Sequence, residues 1–134
     1  MIVDQFVLDK YVELIGGLGL AVYSAGAVPQ SQEYPYIIIT EIQAIQRVFE
    51  GLQWNVFGTI QIVTGSVNPV GKRQSYELAE QIDNVINNGV QHSGNGYVMD
   101  STYLQSSTTL DEEGSFGYIY RNIRFYTHQV SLQS

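Results

Sequence analysis

Residues 34–64 read YPYIIITEIQAIQRVFEGLQWNVFGTIQIVT. β-Branched and aromatic residues dominate both halves, as a pleated, half-buried surface favours. Glu50-Gly51 divides them, and a glycine there supplies the positive φ that a tight hairpin turn needs. From Trp54 onward Trp54, Val56, Ile60 and Ile62 are apolar while Asn55, Thr59 and Gln61 alternate with them. A period of two gives one buried and one polar face. The stretch therefore predicts two long antiparallel strands. Both exceed the usual five or six residues, so the hairpin is expected to project beyond the body. Tyr36–Ile42 and Val56–Val63 should pair in the body. The outer part, Gln46 to Gln53, should carry Arg47, Phe49 and Leu52 to an exposed tip. Apolar residues at such a tip mark a contact surface for a partner.

Upstream, residues 2–15 predict a helix with Val3, Val7, Tyr11 and Leu14 on one stripe and Phe6 and Ile15 flanking it. Gly16-Gly17 ends it. A short strand over Leu20–Tyr23 precedes an irregular loop around Pro29.

Downstream, Asn68-Pro69 marks a turn and a second helix follows from about Lys72 to Asn87. Ser75, Leu78, Ala79, Ile82, Val85 and Ile86 recur at helical spacing, leaving Glu77, Glu80, Asp83 and Asn84 on the solvent side. Asn87-Asn88-Gly89 stops it. Strands over Tyr97–Leu110 and Tyr118–Leu132 complete the chain, joined by an acidic turn, DEEGSFG at 111–117. The fold class expected is α+β: an antiparallel sheet of two long β-hairpins with two amphipathic helices on one face, in a single domain over residues 1–134.

Composition narrows the function. At 134 residues the chain suits one domain. Charged residues make up 14% of it, against about 25% in an ordinary domain, so its polar surface is mostly Gln, Asn, Ser and Thr. Neutral amides cost less to desolvate than charges, which suits a surface covered by partners. The net charge is −7 with six Lys and Arg in all. Tight nucleic-acid binding needs clustered cations, and only Lys72-Arg73 cluster here. An acidic surface past which DNA slides is compatible with this balance.

Cysteine is absent, which excludes disulfides and thiol chemistry. Asp4 and Asp9 interrupt the N-terminal region, and no apolar run approaches the ~18 residues of a membrane span. The expectation is a chain made in the cytoplasm, without membrane association, that stays there or leaves as part of a particle.

No catalytic motif stands out. Gly65 to Arg73 departs from a phosphate loop, because five residues separate Gly65 from Gly71 and Arg73 replaces the required hydroxyl. Gly16-Gly17-Leu18-Gly19 follows a helix, not a strand, and is no dinucleotide fingerprint. His92 and His128 are the only histidines, without further groups at metal or triad spacing. Asp111, Glu112 and Glu113 are consecutive, whereas a calcium loop alternates its ligands. No catalytic residue, cofactor or metal is expected.

The last strand carries a different signal. Tyr118, Tyr120, Arg124, Tyr126 and His128 share one face, and Ile119, Ile123 and Phe125 the other. The aromatic face is expected opposite the helices. Ten tyrosines and five phenylalanines are many for one small core, and aromatic residues with Arg are enriched at interface centres. Tyr118, Tyr120, Arg124 and Tyr126 therefore read either as a subunit interface or as a half-exposed sheet face with cross-strand aromatic pairs. The same face could also hold a small ligand or a peptide.

The order of elements resembles the tail-completion or tail-terminator family of long-tailed bacteriophages, small proteins that cap the tail tube and join it to the head. The resemblance rests on an N-terminal amphipathic helix, the Tyr34-Pro35-Tyr36-Ile37-Ile38 strand opening, and the strand Thr59-Ile60-Gln61-Ile62-Val63. A Ser66/Asn68 loop, the helix Glu77–Ile82 and the final Arg121 to Tyr126 strand continue it. It implies a virion protein of the tail or neck without catalysis. It also implies a homo-oligomeric ring, commonly a hexamer, with tail tube and head-connector proteins as partners and DNA passing through without specific binding.

Overall fold

A computed structural model describes residues 2–47, 52–66, 70–86, 91–114 and 117–132. Within them two helices pack on one face of a six-stranded mixed sheet whose spatial order is β1-β2-β3-β6-β5-β4.

Helix α1 spans Val3–Gly16. It buries Val3, Phe6, Val7, Tyr11 and Ile15, the stripe that the sequence spacing predicts, with Asp4 in the first turn where the helix dipole favours an anion. Strand β1, Ala21–Ser24, follows directly. It pairs parallel with β2, Tyr36–Gln46. A hairpin turn cannot make a parallel pair; here the eleven residues between the two strands carry the chain back to the starting end. The sheet is thus mixed, which corrects the wholly antiparallel expectation.

Strands β2 and β3 (Gln53–Ser66) form the long antiparallel pair, from Tyr36↔Val63 to Gln46↔Trp54. The register shifts between Ile39 and Glu41. This bulge is why Ile37, Ile39, Ile42 and Ala44 all meet the core despite the odd-to-even change in numbering. Strand β6, Gly117–Leu132, flanks β3 along its whole length, from Gln53↔Ser131 to Ser66↔Tyr118. The described part of the hairpin therefore lies within the sheet, not beyond it. Phe49 and the Glu50-Gly51 turn fall outside the described residues.

Strand β5, Tyr97–Gly114, pairs with β6, and the short β4, His92–Gly94, covers only Tyr97–Met99 of β5. Residues 111–113 are strand, not a solvated turn: they pair with Tyr120, Ile119 and Tyr118. Two of the three carboxylates have cationic partners at the surface. Glu112 takes an ion pair from Arg121 at 3.1 Å and Asp111 one from Lys72 at 3.5 Å.

Helix α2, Val70–Ile86, buries Ser75, Leu78, Ala79, Ile82 and Ile86 against Val56, Ile60 and Ile62 of β3 and against α1. Truncating a fully buried isoleucine such as Ile82 to alanine typically costs 2–5 kcal/mol.

Gly58 sets the distance between α1 and the sheet. A Cβ built there would lie 2.0 Å from the Tyr11 hydroxyl and under 3 Å from its ring. Gly58→Ala should therefore destabilise the fold by about 1–3 kcal/mol through overpacking. Gly16→Ala, where nothing lies within 4 Å, should be neutral or stabilising by up to ~1 kcal/mol. Urea unfolding of the two variants checks the opposite signs.

Candidate functional site

Strand alternation gives β6 two faces, and the structure shows which one is covered. Tyr120, Asn122, Arg124, Tyr126, His128 and Val130 are buried. Their cross-strand partners Ile60, Gly58 and Val56 are also buried under the helices. The aromatic and basic face is therefore the helix face, which corrects the expectation that it lies opposite. Ile123 on the other face is half-buried and Phe125 is exposed.

This polar set stays inside because both helices supply complementary groups. Arg124 meets Asp83 of α2 in a two-point contact: Nε donates to Oδ1 at 3.1 Å and Nη2 donates to Oδ2. Tyr126 donates its hydroxyl to the same Oδ1 and accepts from Arg124 Nε at 3.2 Å. Arg124 also donates to Asn122 Oδ1 at 3.4 Å. A two-point guanidinium–carboxylate pair is among the stronger charged hydrogen bonds. Burial works against the Arg124 charge, but the hydrogen bonds to Asp83 and Tyr126 outweigh it and raise its pKa. Burial, reinforced by the bond to Asp83, pushes the Tyr126 phenol well above its usual range. Asp83 is thus no solvent-side residue; it fixes α2 to the sheet.

A second cluster fixes α1. The Tyr11 hydroxyl bonds His128 Nε2, and His128 Nδ1 lies 3.0 Å from Thr102 Oγ1 on β5. A neutral imidazole offers one donor and one acceptor, and a hydroxyl can serve as either, so the ring is satisfied without a charge. Burial, with His92 nearby, lowers the His128 pKa to about 3. Tyr11 stands edge-on to both Tyr126 and His128.

Other tyrosines are used on the opposite face. Tyr34 stacks on Tyr36 with centroids 5.7 Å apart, and Tyr23 meets Tyr36 edge-on. Gly65 makes room for Tyr34, because a Cβ there would come within 2.5 Å of the ring.

The residues picked from the sequence thus divide. Tyr126 is fully buried and Arg124 and Tyr120 nearly so, all within the chain itself. Tyr118 stays exposed, stacked on Tyr120 at 6.2 Å. Leu52 is 59% exposed, and its carbonyl accepts from the Leu132 amide at 3.1 Å. Arg47 is half-buried and donates from Nη1 to Gln53 at 3.1 Å. Leu52 and Tyr118 lie at opposite ends of the β3–β6 ladder, about 46 Å apart at ~3.3 Å per residue. The structure does not bring them together.

Sequence reading missed the neighbours of Leu52. Ile2, Ile45 and Leu132 are also exposed apolar residues. A cleft of about 410 Å³ opens at this end, lined by Ile2, Val3, Ala44, Trp54 and Tyr97 among others. Ile45 carried a usable signal, an apolar residue out of phase with its strand after the bulge. Among the described residues, no group of three His, Asp or Glu is placed to hold a metal. Among the described residues no helix is long and apolar enough to cross a membrane.

The chain matches no protein-family model and no curated protein. Among solved structures it is similar to a chain of the virion of a native gene transfer agent particle, with a TM-score of 0.64. The likeness covers 93% of this chain and 91% of that one, at 13% identity. The two share a fold. At that identity the likeness describes the whole architecture and not the individual side chains.

Two measurements check the buried clusters. Asp83→Ala should cost about 2–4 kcal/mol, because it strands the buried Arg124 charge. Glu80→Ala, exposed on the same helix, should stay within ~0.5 kcal/mol. The His128 pKa lies below its ordinary value of 6.5. Its contribution is therefore full above that pH and is lost on acidification toward pH 3. At ~1.4 kcal/mol per unit, chemical denaturation should show about 2 kcal/mol lost between pH 6.5 and 5, with a flatter profile in His128→Gln.

Proposed function

We propose that the chain is a structural virion protein of a bacteriophage-like particle, placed in the tail or neck. There it forms a homo-oligomeric ring that caps the tail tube and joins it to the head connector. The observation that carries this reading is the end-to-end fold likeness to a chain of a virion. The likeness runs through 93% of this chain and 91% of that one.

Three physical features support the reading. The net charge of −7 suits the wall of a channel along which DNA passes without sticking. A surface poor in charge is inexpensive to cover with neighbours. The exposed apolar residues Leu52, Ile2, Ile45 and Leu132 gather at one end of the sheet, with Arg47 beside them, and Tyr118 stands at the other. Two separate contact ends suit a protein that joins two different bodies. In this reading the chain needs no cofactor, and its surfaces rather than a reaction centre do the work. A ligand platform on the aromatic face is disfavoured, because Tyr126 and Tyr120 lie under the helices.

The purified chain should run in light scattering as an assembly of several 15.0 kDa copies, six for the expected ring. It should appear by negative stain as rings that seat on the ends of tail tubes. A chain that stays monomeric at high concentration and never decorates tubes would count decisively against the reading.

A further inference from the structure

The sheet closes neither of its edges. On one side, β1 ends at Ser24 opposite Ile39, where the chain turns away through Gly26 and the Ala27 amide bonds the Ser24 carbonyl at 3.0 Å. Beyond it, β2 has β3 on one side and, among the described residues, no strand on the other. The direction of its free groups follows from one bond. The Arg47 amide donates to the Gln53 carbonyl at 2.9 Å, so Arg47 faces β3. Backbone groups alternate sides along a strand, so the N–H and C=O of Ile42 and Ala44 face outward. A cleft of about 310 Å³, lined by Leu8, Ile39 and Ile42 together with the carboxylates of Asp4 and Glu41 among others, lies at this edge.

On the other side, β4 covers β5 only at Tyr97–Met99. From there to Gly114, β6 is the one strand beside β5 among the described residues. After its second bulge, at Gln105, β5 runs in regular register. Ser106, Ser107, Thr108 and Leu110 are exposed, so this stretch is open at both faces as well as along its edge.

Edge strands are templates for pairing, and natural proteins usually blunt them with charges or proline. The two stretches here are IQAIQ at 42–46 and SSTTL at 106–110. Neither holds a charge, a proline or a glycine, in a chain with nineteen charged residues. They also match in direction and face. Three antiparallel steps separate β2 from β5, so the two strands run in opposite senses. A second copy in the same orientation would therefore add antiparallel. Ile45 and Leu110, both about half exposed, lie on the sheet face away from the helices, where one could cover the other.

We propose that the open edge of β2 at Ile42–Ile45 in one copy pairs antiparallel with the open edge of β5 around Ser106–Leu110 in the next. Copies then join head to tail through a continuous sheet. The contact uses a different patch on each copy, which is the arrangement that closes into a ring or continues as a filament. This rests on the ring reading above and names the surfaces that build the ring.

The absence of cysteine makes a direct test available. Within one copy β2 and β5 are separated by two strands, about 14 Å, too far for a disulfide. Ile45→Cys is mixed with Thr108→Cys, its partner when the two stretches lie side by side, or with Ser106→Cys or Leu110→Cys for the registers two residues either way, and mildly oxidised. Covalent dimers should form in at least one mixture and should exceed those of either variant alone by more than tenfold. In parallel, Ala44→Pro removes an outward N–H without touching the β2–β3 ladder. It should lower the mass seen by light scattering to that of one copy, with circular dichroism unchanged. If Ala44→Pro does not fold, the cross-linking result decides. An oligomer that forms no such cross-links overturns the edge pairing and leaves the ring reading intact. A chain that remains monomeric, with or without tail tubes, overturns both.

Discussion

The contact between Asp83 and Arg124 holds this structure in its observed form. Arg124 lies on the central strand β6, and without a carboxylate its charge could not remain under the helices. Asp83 supplies that carboxylate from α2, and Tyr126 completes the arrangement by bonding to both. Once α2 is fixed there, Ile82 and Ile86 fall over the middle of the sheet. Helix α1 is positioned by its own polar contact, Tyr11 to His128, and Gly58 leaves the space for it. Two helices are thus located by directional bonds, while burial of aliphatic side chains supplies most of the driving force.

Much of the fold was legible in the sequence. The helical spacing of Ser75, Leu78, Ala79, Ile82 and Ile86 defines α2 and its buried side. The run from Tyr36 and the alternation after Trp54 define β2 and β3. What local pattern could not reveal was which face of β6 is covered. One face carries Ile119, Ile123 and Phe125, the other Tyr, Arg and His, and hydropathy alone favours burying the first. The second is buried because its partners stand 41 residues away at Asp83 and 117 residues away at Tyr11. The acidic run at 111–113 is strand for a similar reason: it pairs with Tyr118–Tyr120, and Arg121 and Lys72 meet Glu112 and Asp111 from a neighbouring strand and a helix. The parallel pairing of β1 depends on where a long loop returns, which its composition does not encode.

The same redistribution changes how the candidate site is read. Tyr126 and Arg124 have the composition of an interface centre, yet the chain satisfies them internally. The exposed apolar side chains lie elsewhere: at Leu52 and Leu132, at Tyr118, and at Ile45 and Leu110 on the outer strands. The whole architecture is shared with a chain of a virion.

Amide hydrogen exchange on the dilute chain and on the assembled protein would test this division between a satisfied interior and open edges most directly. The amides of β6 flanked by β3 and β5 should be protected in both states. Those of Ile42, Ala44, Ser107 and Thr109, which point away from the neighbouring strand, should gain protection only on assembly. Edge amides that exchange equally fast in both states would contradict the account.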